Sequence, residues 1–310
     1  MKLKEIQNSR ILLSPLNWGM GHVSRCIGLI NELQHSQNKV IIACDDEQKE
    51  VFNSYFNDLE FISHKGYPFK FKGKGNFSWD LMKCGRNLLK RHQLERKEVE
   101  RMVEEYQIDL VVSDHRYGFR SKKVKSILVT HQLCLPVLWF EFPIQFVHTK
   151  LLRKFDRIWV MDFPDSRLAG RLSRNEDLHI VDYVGPFSRF QLYEIPNDKT
   201  IEEVLIASGP KIYAQQFIDK TIEEIRPNQL RVIGNSDLSI PWKIEHISGN
   251  WKERDEVILK AKKIISRSGY TTLMDLHYLG ISAELIATPG QREQVYLKGR
   301  QVDRIEIQNL

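Results

Sequence analysis

The chain has 310 residues, of which 42% are hydrophobic and 28% charged, and this composition excludes a disordered or fibrous protein. Its length is comfortable for two domains. None of its four cysteines (Cys26, Cys44, Cys84 and Cys134) lies in a Cys-x-x-Cys pair, which excludes a zinc ribbon or a disulfide scaffold. We expect a reduced, cytoplasmic setting, because the first ten residues also lack the apolar segment of a signal peptide.

Short apolar runs alternate with helical patterns from the start of the chain to Gly185. The strand-like runs are ILLS, KVIIAC, LEFIS, IDLVVSD, KSILVT, FDRIWVM and HIVDYVG. KVIIAC is apolar almost throughout, which is typical of a parallel strand buried on both faces. Helical spacing begins near His22, and the pattern predicts a long charged helix from Trp79 to Tyr106.

The alternation pauses in the segment PFSRFQLYEIPND, which contains two prolines and has no regular period. A second series follows, with the strand-like runs EVLIASG, QLRVIG, WKIEHIS, KKIISRSG and SAELIATPG. The sequence therefore predicts an α/β fold of two Rossmann-like, doubly wound domains, residues 1–187 and 198–310. Ligands of such domains bind beyond the carboxyl ends of the strands, so we expect the site in a cleft that the two domains face.

The most apolar stretch runs from Leu133 to Leu152, but two prolines, a glutamate and a lysine interrupt it. A membrane-spanning helix needs about 20 mostly apolar residues in a row, so the stretch is not one. We expect a buried loop and helix, and the alternative is an apolar face that touches a membrane or a lipid-linked substrate. The basic segment Phe69–Gly75 is interpreted as a surface loop, with contact to an anionic acceptor or membrane as its alternative.

A glycine loop with a histidine follows the first predicted strand, in LLSPLNWGMGHVSRC. Gly19 and Gly21 allow a ligand to approach the backbone, and the helix that follows offers its N-terminus to an anion. Ser24 stands where a dinucleotide-binding fingerprint has its third glycine, which argues against a dehydrogenase. A helix N-terminus lowers the proton affinity of His22, so we expect a neutral imidazole suited to general-base catalysis. The alternative role is capping of the helix.

Polar side chains also follow the strand-like run IDLVVSD. Asp114 ends this strand and is expected to face the same cleft as His22, where its carboxylate would orient the imidazole. A structural cap on the next turn is the alternative for Asp114. His115 and Arg116 are placed equally well to touch a ligand.

The second domain carries three candidate ligand loops. The first is a small-residue turn after a strand, at Ser208, Gly209 and Pro210. The second opens a helix and is rich in hydroxyl groups suited to a diphosphate; its residues are Ser268, Gly269, Tyr270, Thr271 and Thr272. Asp275, one turn into that helix, could bind two ribose hydroxyls, and Glu293 and Gln294 in the third loop could bind sugar hydroxyls. A capped helix followed by an ordinary loop is the alternative.

The segment RSGYTTLMDL…IATPGQREQ resembles the donor-binding region of two-domain glycosyltransferases of family 28, and NWGMGHVSR is similar to their N-terminal glycine loop. This family includes the N-acetylglucosaminyltransferase of peptidoglycan precursor synthesis. The resemblance implies a GT-B fold whose second domain holds the nucleotide sugar. It also implies transfer without a metal ion or a bound cofactor, because the nucleotide sugar is a substrate; the chain has no Asp-x-Asp triplet.

For the donor, the resemblance implies that Gly269 and the pair Thr271–Thr272 approach the diphosphate, together with the loop Ser208–Pro210. Asp275 would bind the ribose, at a position where the family usually has glutamate. This loop at Ser208–Pro210 is shorter than in the peptidoglycan enzymes.

For the acceptor side, the resemblance implies that His22 lies near the reacting centre, with Glu293 and Gln294 toward the donor sugar. The donor motif ends in Arg-Glu-Gln, and the chain stops 16 positions after Gln294, so we expect a second domain that is shortened at its end.

These observations predict an inverting glycosyltransferase that uses a nucleotide sugar, in first place a UDP-sugar, and an envelope or lipid-linked glycan acceptor. The net charge of +6 favours peripheral contact with an anionic membrane, at its inner face. One alternative is a hydrolase, since GMGHVSRC also resembles the nucleotide-sugar hydrolases of nonulosonate synthesis. Another is a non-catalytic sugar-nucleotide-binding protein. No RNA-binding motif is present, so we expect no nucleic-acid partner.

Overall fold

The computed structural model describes residues 2–67, 77–136, 142–224 and 230–308. The basic segment Phe69–Gly75 lies outside the described residues, as does part of the apolar stretch Leu133–Leu152. The described chain forms two compact units; the first ends at Arg189 and the second begins at Phe190. No helix in these ranges is long and apolar enough to cross a membrane.

The first unit is built on a seven-stranded sheet. Its strands are β1 (Arg10–Pro15), β2 (Lys39–Cys44), β3 (Glu60–Ser63), β4 (Leu110–Asp114), β5 (Lys125–Thr130), β6 (Arg157–Val160) and β7 (Val181–Tyr183). The helices are α1 (Met20–His35), α2 (Asp46–Asn53), α3 (Phe77–Glu105) and α4 (Phe142–Leu152). All strands are parallel, in the order β3-β2-β1-β4-β5-β6-β7.

Interior strands of this sheet are buried on both faces. Every residue of β4 is buried, and in β1 all but Arg10 are buried, which explains why their sequences lack a polar-apolar alternation. Helix α3 covers one face, where Val99 and Val103 pack with Leu12 and Val111. Parallel pairing brings the carboxyl ends of β1, β4 and β5 to one edge of the sheet.

Helices α1 and α3 both end in a Schellman turn, in which two backbone hydrogen bonds close the last turn. In α1 the amide of Gln37 donates to Gln34 O (2.9 Å) and that of Asn38 to Leu33 O (3.3 Å). In α3 the amide of Gln107 donates to Glu104 O and that of Ile108 to Val103 O. Gln37 (φ 60°) and Gln107 (φ 50°) therefore occupy the left-handed position where glycine is most common.

The second unit is built on a five-stranded sheet. Its strands are β8 (Ile201–Ile206), β9 (Leu230–Ile233), β10 (Glu245–Ile247), β11 (Ala261–Arg267) and β12 (Ser282–Ile286), and its helices are α5 (Lys211–Glu224), α6 (Trp251–Leu259), α7 (Tyr270–Leu279) and α8 (Arg292–Gln308). The strands are parallel, in the order β10-β9-β8-β11-β12.

Successive strand residues of the second sheet pack into different clusters, as the pleat requires. Val204 and Ile264 pack on one face with Ile258 of α6. Their neighbours Leu205 and Ile265 pack on the other face with residues of α5. The predicted α/β fold with two parallel sheets is confirmed, and every strand-like run of the sequence forms a strand. Helix α8 was not among the predicted elements.

Candidate active site

The first unit places its candidate residues at the ends of two adjacent strands, β1 and β4. Gly19 follows β1 and caps α1 with φ 122° and ψ 157°, a conformation that L-residues rarely adopt. A Cβ atom at Gly19 would meet nothing within 4 Å, so the backbone conformation alone demands glycine there. It turns the chain so that α1 begins at Met20, which puts His22 in the first helical turn.

His22 and Asp114 are in contact, as the topology led us to expect. The Nδ1 atom of His22 lies 2.7 Å from Oδ2 of Asp114. The His22 side chain is 19% exposed, whereas the Asp114 side chain is fully buried. The imidazole is therefore partly accessible from outside the protein, and the carboxylate is not. If Nδ1–H donates to Asp114, Nε2 carries the free lone pair that a general base needs.

Arg25 is the third member of this cluster, and no role was predicted for it. It is buried, and both its Nε (3.0 Å) and its Nη2 bind Oδ1 of Asp114. Nη2 also lies 2.7 Å from Nδ1 of His22. The spacing of Arg25 and His22, three residues apart on one helix, was the available signal, because such residues share a helix face.

The cluster shifts the pKa of both titrating groups downward. Burial lowers the pKa of His22 most, the Arg25 charge lowers it further, and Asp114 opposes both. Burial opposes ionisation of Asp114, yet the charge of Arg25 and the bonds from His22 and Arg25 bring the pKa of Asp114 below its usual value. At neutral pH the cluster therefore holds a neutral imidazole beside an ionised carboxylate.

Two further histidines lie beside this pair. His115 has φ 56°, an uncommon conformation for a side chain of its size, and its Nε2 lies 2.6 Å from the Thr130 hydroxyl. Its ring centroid is 5.4 Å from that of His22 and 5.5 Å from that of His131. Burial brings the pKa of His115 well below its usual value, so this second imidazole is also neutral at neutral pH.

The expectation that Arg116 touches a ligand is wrong. Its side chain is fully buried and pairs with Glu95 of α3, with Nε 2.8 Å from Oε1. Its Nη2 donates to Lys65 O at 2.8 Å, and its guanidinium lies 5.0 Å from the Tyr67 ring centroid. Arg116 therefore ties the loop after β4 to α3 and to the segment before Tyr67. A buried arginine that forms this many bonds has a structural role.

The second unit also places its candidate loops at adjacent strand ends. Strands β8, β11 and β12 are neighbours, so the loops that follow them lie side by side. Ser208, Gly209 and Pro210 form an exposed turn in which Gly209 has φ 94°. Gly269 caps α7, and Thr271 and Thr272 lie half-buried in its first turn. This helix N-terminus carries the positive end of a dipole and suits a diphosphate.

Several predicted donor residues use their side chains within the protein. Ser268 is fully buried and its hydroxyl donates to Gln294 O at 2.8 Å. The amide oxygen of Gln294 accepts from Thr288 N at 2.8 Å. Tyr270 is buried too, so only its backbone is placed for a ligand. Asp275 and Glu293 are half-buried, in α7 and in the first turn of α8.

Arg267, at the end of β11, was missed by the sequence analysis. Its Nη1 donates to Ala287 O (3.1 Å) and its Nη2 to Tyr213 O (3.2 Å), and its guanidinium lies 4.3 Å from the Phe217 ring centroid. One side chain thus joins the end of β11 to the loop after β12 and to the first turn of α5. Its position directly before Ser268 in the quoted motif was the only signal.

Comparison with solved structures identifies the architecture. The rhamnosyltransferase SpnG of spinosyn synthesis superposes with a TM-score of 0.62 at 14% identity, over 95% of this chain and 84% of its own. Arabidopsis thaliana UGT89C1 with UDP-L-rhamnose gives 0.60 at 11% identity, and Acinetobacter baumannii MurG 0.52 at 12%; each match covers 96% of this chain and 84% of the other. The fold is GT-B.

The resemblance to family-28 glycosyltransferases is thus confirmed at the level of the fold. SpnG has also been solved with thymidine diphosphate, and that structure superposes with a TM-score of 0.59. No protein-family model and no curated protein sequence matches this chain. Within the described residues, no group of three or more His, Cys, Asp or Glu side chains could hold a metal ion.

Proposed function

We propose that this chain is a glycosyltransferase that moves a sugar from a nucleoside diphosphate donor, in first place a UDP-sugar, to an acceptor hydroxyl, with inversion and without a metal ion. The observation that carries the proposal is the 2.7 Å contact between the partly exposed His22 and the buried Asp114, at the strand ends of a GT-B fold. A reachable neutral imidazole oriented by a carboxylate is the arrangement that general-base catalysis requires.

In the proposed reaction, Nε2 of His22 accepts the proton of the acceptor hydroxyl as its oxygen attacks the anomeric carbon. The bond from that carbon to the diphosphate breaks in the same step, so the configuration inverts and the nucleoside diphosphate leaves. Asp114 stabilises the imidazolium that forms. The N-terminus of α7 at Gly269 stabilises the charge on the leaving diphosphate.

The donor assignment is supported by the three adjacent loops of the second unit, which contain the predicted diphosphate and sugar residues. It is supported further by the nucleotides in the structural neighbours, thymidine diphosphate in SpnG and UDP-L-rhamnose in UGT89C1. Both nucleotides carry a pyrimidine base and a diphosphate. We therefore infer a pyrimidine nucleoside diphosphate sugar as the donor.

For the acceptor we propose an envelope or lipid-linked glycan reached at an anionic membrane surface. The support comes from α4, where Phe146 and Val147 are 55% and 56% exposed and the Lys150 ammonium lies 4.3 Å from the Phe146 ring centroid. Exposed apolar side chains beside a basic one suit a lipid interface. Co-sedimentation with anionic vesicles tests this part, and equal sedimentation with neutral and anionic vesicles would contradict it.

The donor is tested by a thermal-shift series with UDP, TDP, GDP and their sugars. Because a ligand of the folded state raises the melting temperature by mass action, we expect a rise with UDP and TDP compounds and none with GDP compounds. A donor-consumption assay with and without acceptor glycans then separates transfer from hydrolysis. No shift with any pyrimidine nucleotide would contradict the donor, and release of free sugar without an acceptor would indicate the hydrolase.

A further inference from the structure

The two oxygens of the Asp114 carboxylate have different partners. Its Nε and Nη2 atoms bind Oδ1, while Oδ2 lies 2.7 Å from Nδ1 of His22. Both donors hold the same oxygen, Oδ1, and the contact with His22 holds Oδ2, so the carboxylate is fixed at both of its oxygens. With Oδ1 occupied, Oδ2 is the oxygen left for the imidazole.

We propose that Arg25 is a positioning residue for His22: it anchors Asp114 through Oδ1, directs Oδ2 to Nδ1 of the imidazole and so leaves Nε2 as the atom that accepts a proton. The inference rests on the proposed function, since it explains how a base at His22 is kept ready. Arg25 itself touches no reacting atom, because its side chain is only 3% exposed.

The tautomer of His22 depends on which of two neighbours Nδ1 bonds to. Nδ1 lies 2.7 Å from both the carboxylate of Asp114 and Nη2 of Arg25. A guanidinium can only donate, so a hydrogen bond from Arg25 would require an unprotonated Nδ1. The ring proton would then lie on Nε2, which could not act as a base. Nη2 of Arg25 already has an acceptor in Oδ1, whereas an unprotonated Nδ1 would face Oδ2 at 2.7 Å with no hydrogen atom between them. Nδ1–H to Asp114 is therefore the tautomer we infer.

The charges around His22 come from three elements. Arg25 lies on the same helix, Asp114 ends β4 and His115 follows it, and His131 follows β5, with its Nδ1 3.4 Å from Nη1 of Arg25. Arg25 and His131 disfavour a proton on His22, and Asp114 favours one. Removing the Arg25 charge is therefore expected to make His22 easier to protonate.

Nitrogen-15 NMR of the full chain with labelled histidine tests the proposal without any substrate. The chain has ten histidines, and the His22 signals are assigned by their loss in H22Q. We expect a protonated Nδ1 and an unprotonated Nε2 in the natural sequence, and the reverse in D114N, whose amide would donate to Nδ1. A natural protein with the proton on Nε2 would overturn the proposal.

The variants R25Q and R25K separate charge from geometry. We expect the His22 titration midpoint to move upward in R25Q and to stay low in R25K, which keeps the charge. R25K cannot form the two-atom grip on Oδ1, so the preference for Nδ1–H is expected to weaken. An unchanged midpoint and an unchanged tautomer in R25Q would show that Arg25 has no positioning role.

Should R25Q fail to fold, R25K decides, because it keeps a buried positive charge beside Asp114. Here the inference expects a weaker preference for Nδ1–H than in the natural protein, and an equally strong preference would overturn it. The outcome is independent of the proposed function. If the chain shows no glycosyl transfer, the proposed function is contradicted and the NMR result still stands. If the NMR result contradicts the role of Arg25, the proposed function still stands.

Discussion

At the scale of single residues, the neighbours of His22 set its protonation state. Burial and the Arg25 charge disfavour a second proton on the ring, while Asp114 contacts Nδ1. The sequence predicted a neutral histidine from the helix N-terminus alone. The direction was right, but burial and Arg25 are the leading causes, and both depend on packing that one stretch of sequence does not contain.

Replacing His22 by glutamine tests its role as base. We expect kcat to fall by roughly 10²- to 10⁴-fold, because general-base catalysis contributes about that much. The melting-temperature shift with the donor nucleotide should remain, since the predicted nucleotide residues lie in the second unit. His35→Gln is the matched control, an exposed histidine in the last turn of the same helix. Equal activity of the His22 variant and this control would exclude His22 as the base.

At the scale of elements, the strands were the most predictable feature. In the first sheet the interior strands β2, β4 and β5 are buried almost throughout, so their local sequence carries the signal. Asp114 was predictable as a strand end facing His22 for the same reason. The partners of Arg116 and Arg267 were not, because Glu95 and Tyr213 lie far away in the sequence and only the fold brings them together.

The Schellman turns of α1 and α3 give a prediction at this scale. Gln37 and Gln107 are exposed and left-handed, so their side chains cost backbone strain and bury little surface. We expect Gln37→Gly and Gln107→Gly each to raise the free energy of unfolding by about 0.5–1 kcal/mol, the relief of strain less the added chain entropy.

Urea unfolding measures both changes. Gln34→Gly is the matched control, because this glutamine lies inside the last turn of α1 with ordinary helical geometry. Glycine there should lower the free energy of unfolding by about 0.5–1 kcal/mol. A decrease in all three variants would mean that strain at Gln37 and Gln107 is negligible.

At the scale of the whole molecule, four described histidines of the first unit have lowered pKa values because burial disfavours their charged form: His22, His92, His115 and His148. For His148 the pKa falls from 6.5 to about 4. The unfolded chain therefore binds protons before the folded one does as the pH drops. Stability due to these groups is complete above pH 6.5 and is lost as the pH falls toward the folded pKa values.

We expect the free energy of unfolding to decrease between about pH 6.5 and pH 4, by up to roughly 1.4 kcal/mol per pH unit for each proton taken up. His148→Gln should make the slope shallower in urea titrations across this range. His179→Gln serves as control, because His179 is exposed. A slope that His148→Gln leaves unchanged would show that His148 titrates alike in both states.

The strand order has a consequence for how the protein is made. β1 lies between β2 and β4, and β4 is completed about 100 residues after β1 leaves the ribosome. At 5–20 residues per second this takes roughly 5–20 s. Throughout that interval one side of β1, a largely buried central strand, has no partner. A messenger RNA that ends before the codon for Leu110 would therefore yield an aggregation-prone fragment. Synthesis that reaches Asp114 without pausing shortens the time during which this strand edge is unpaired.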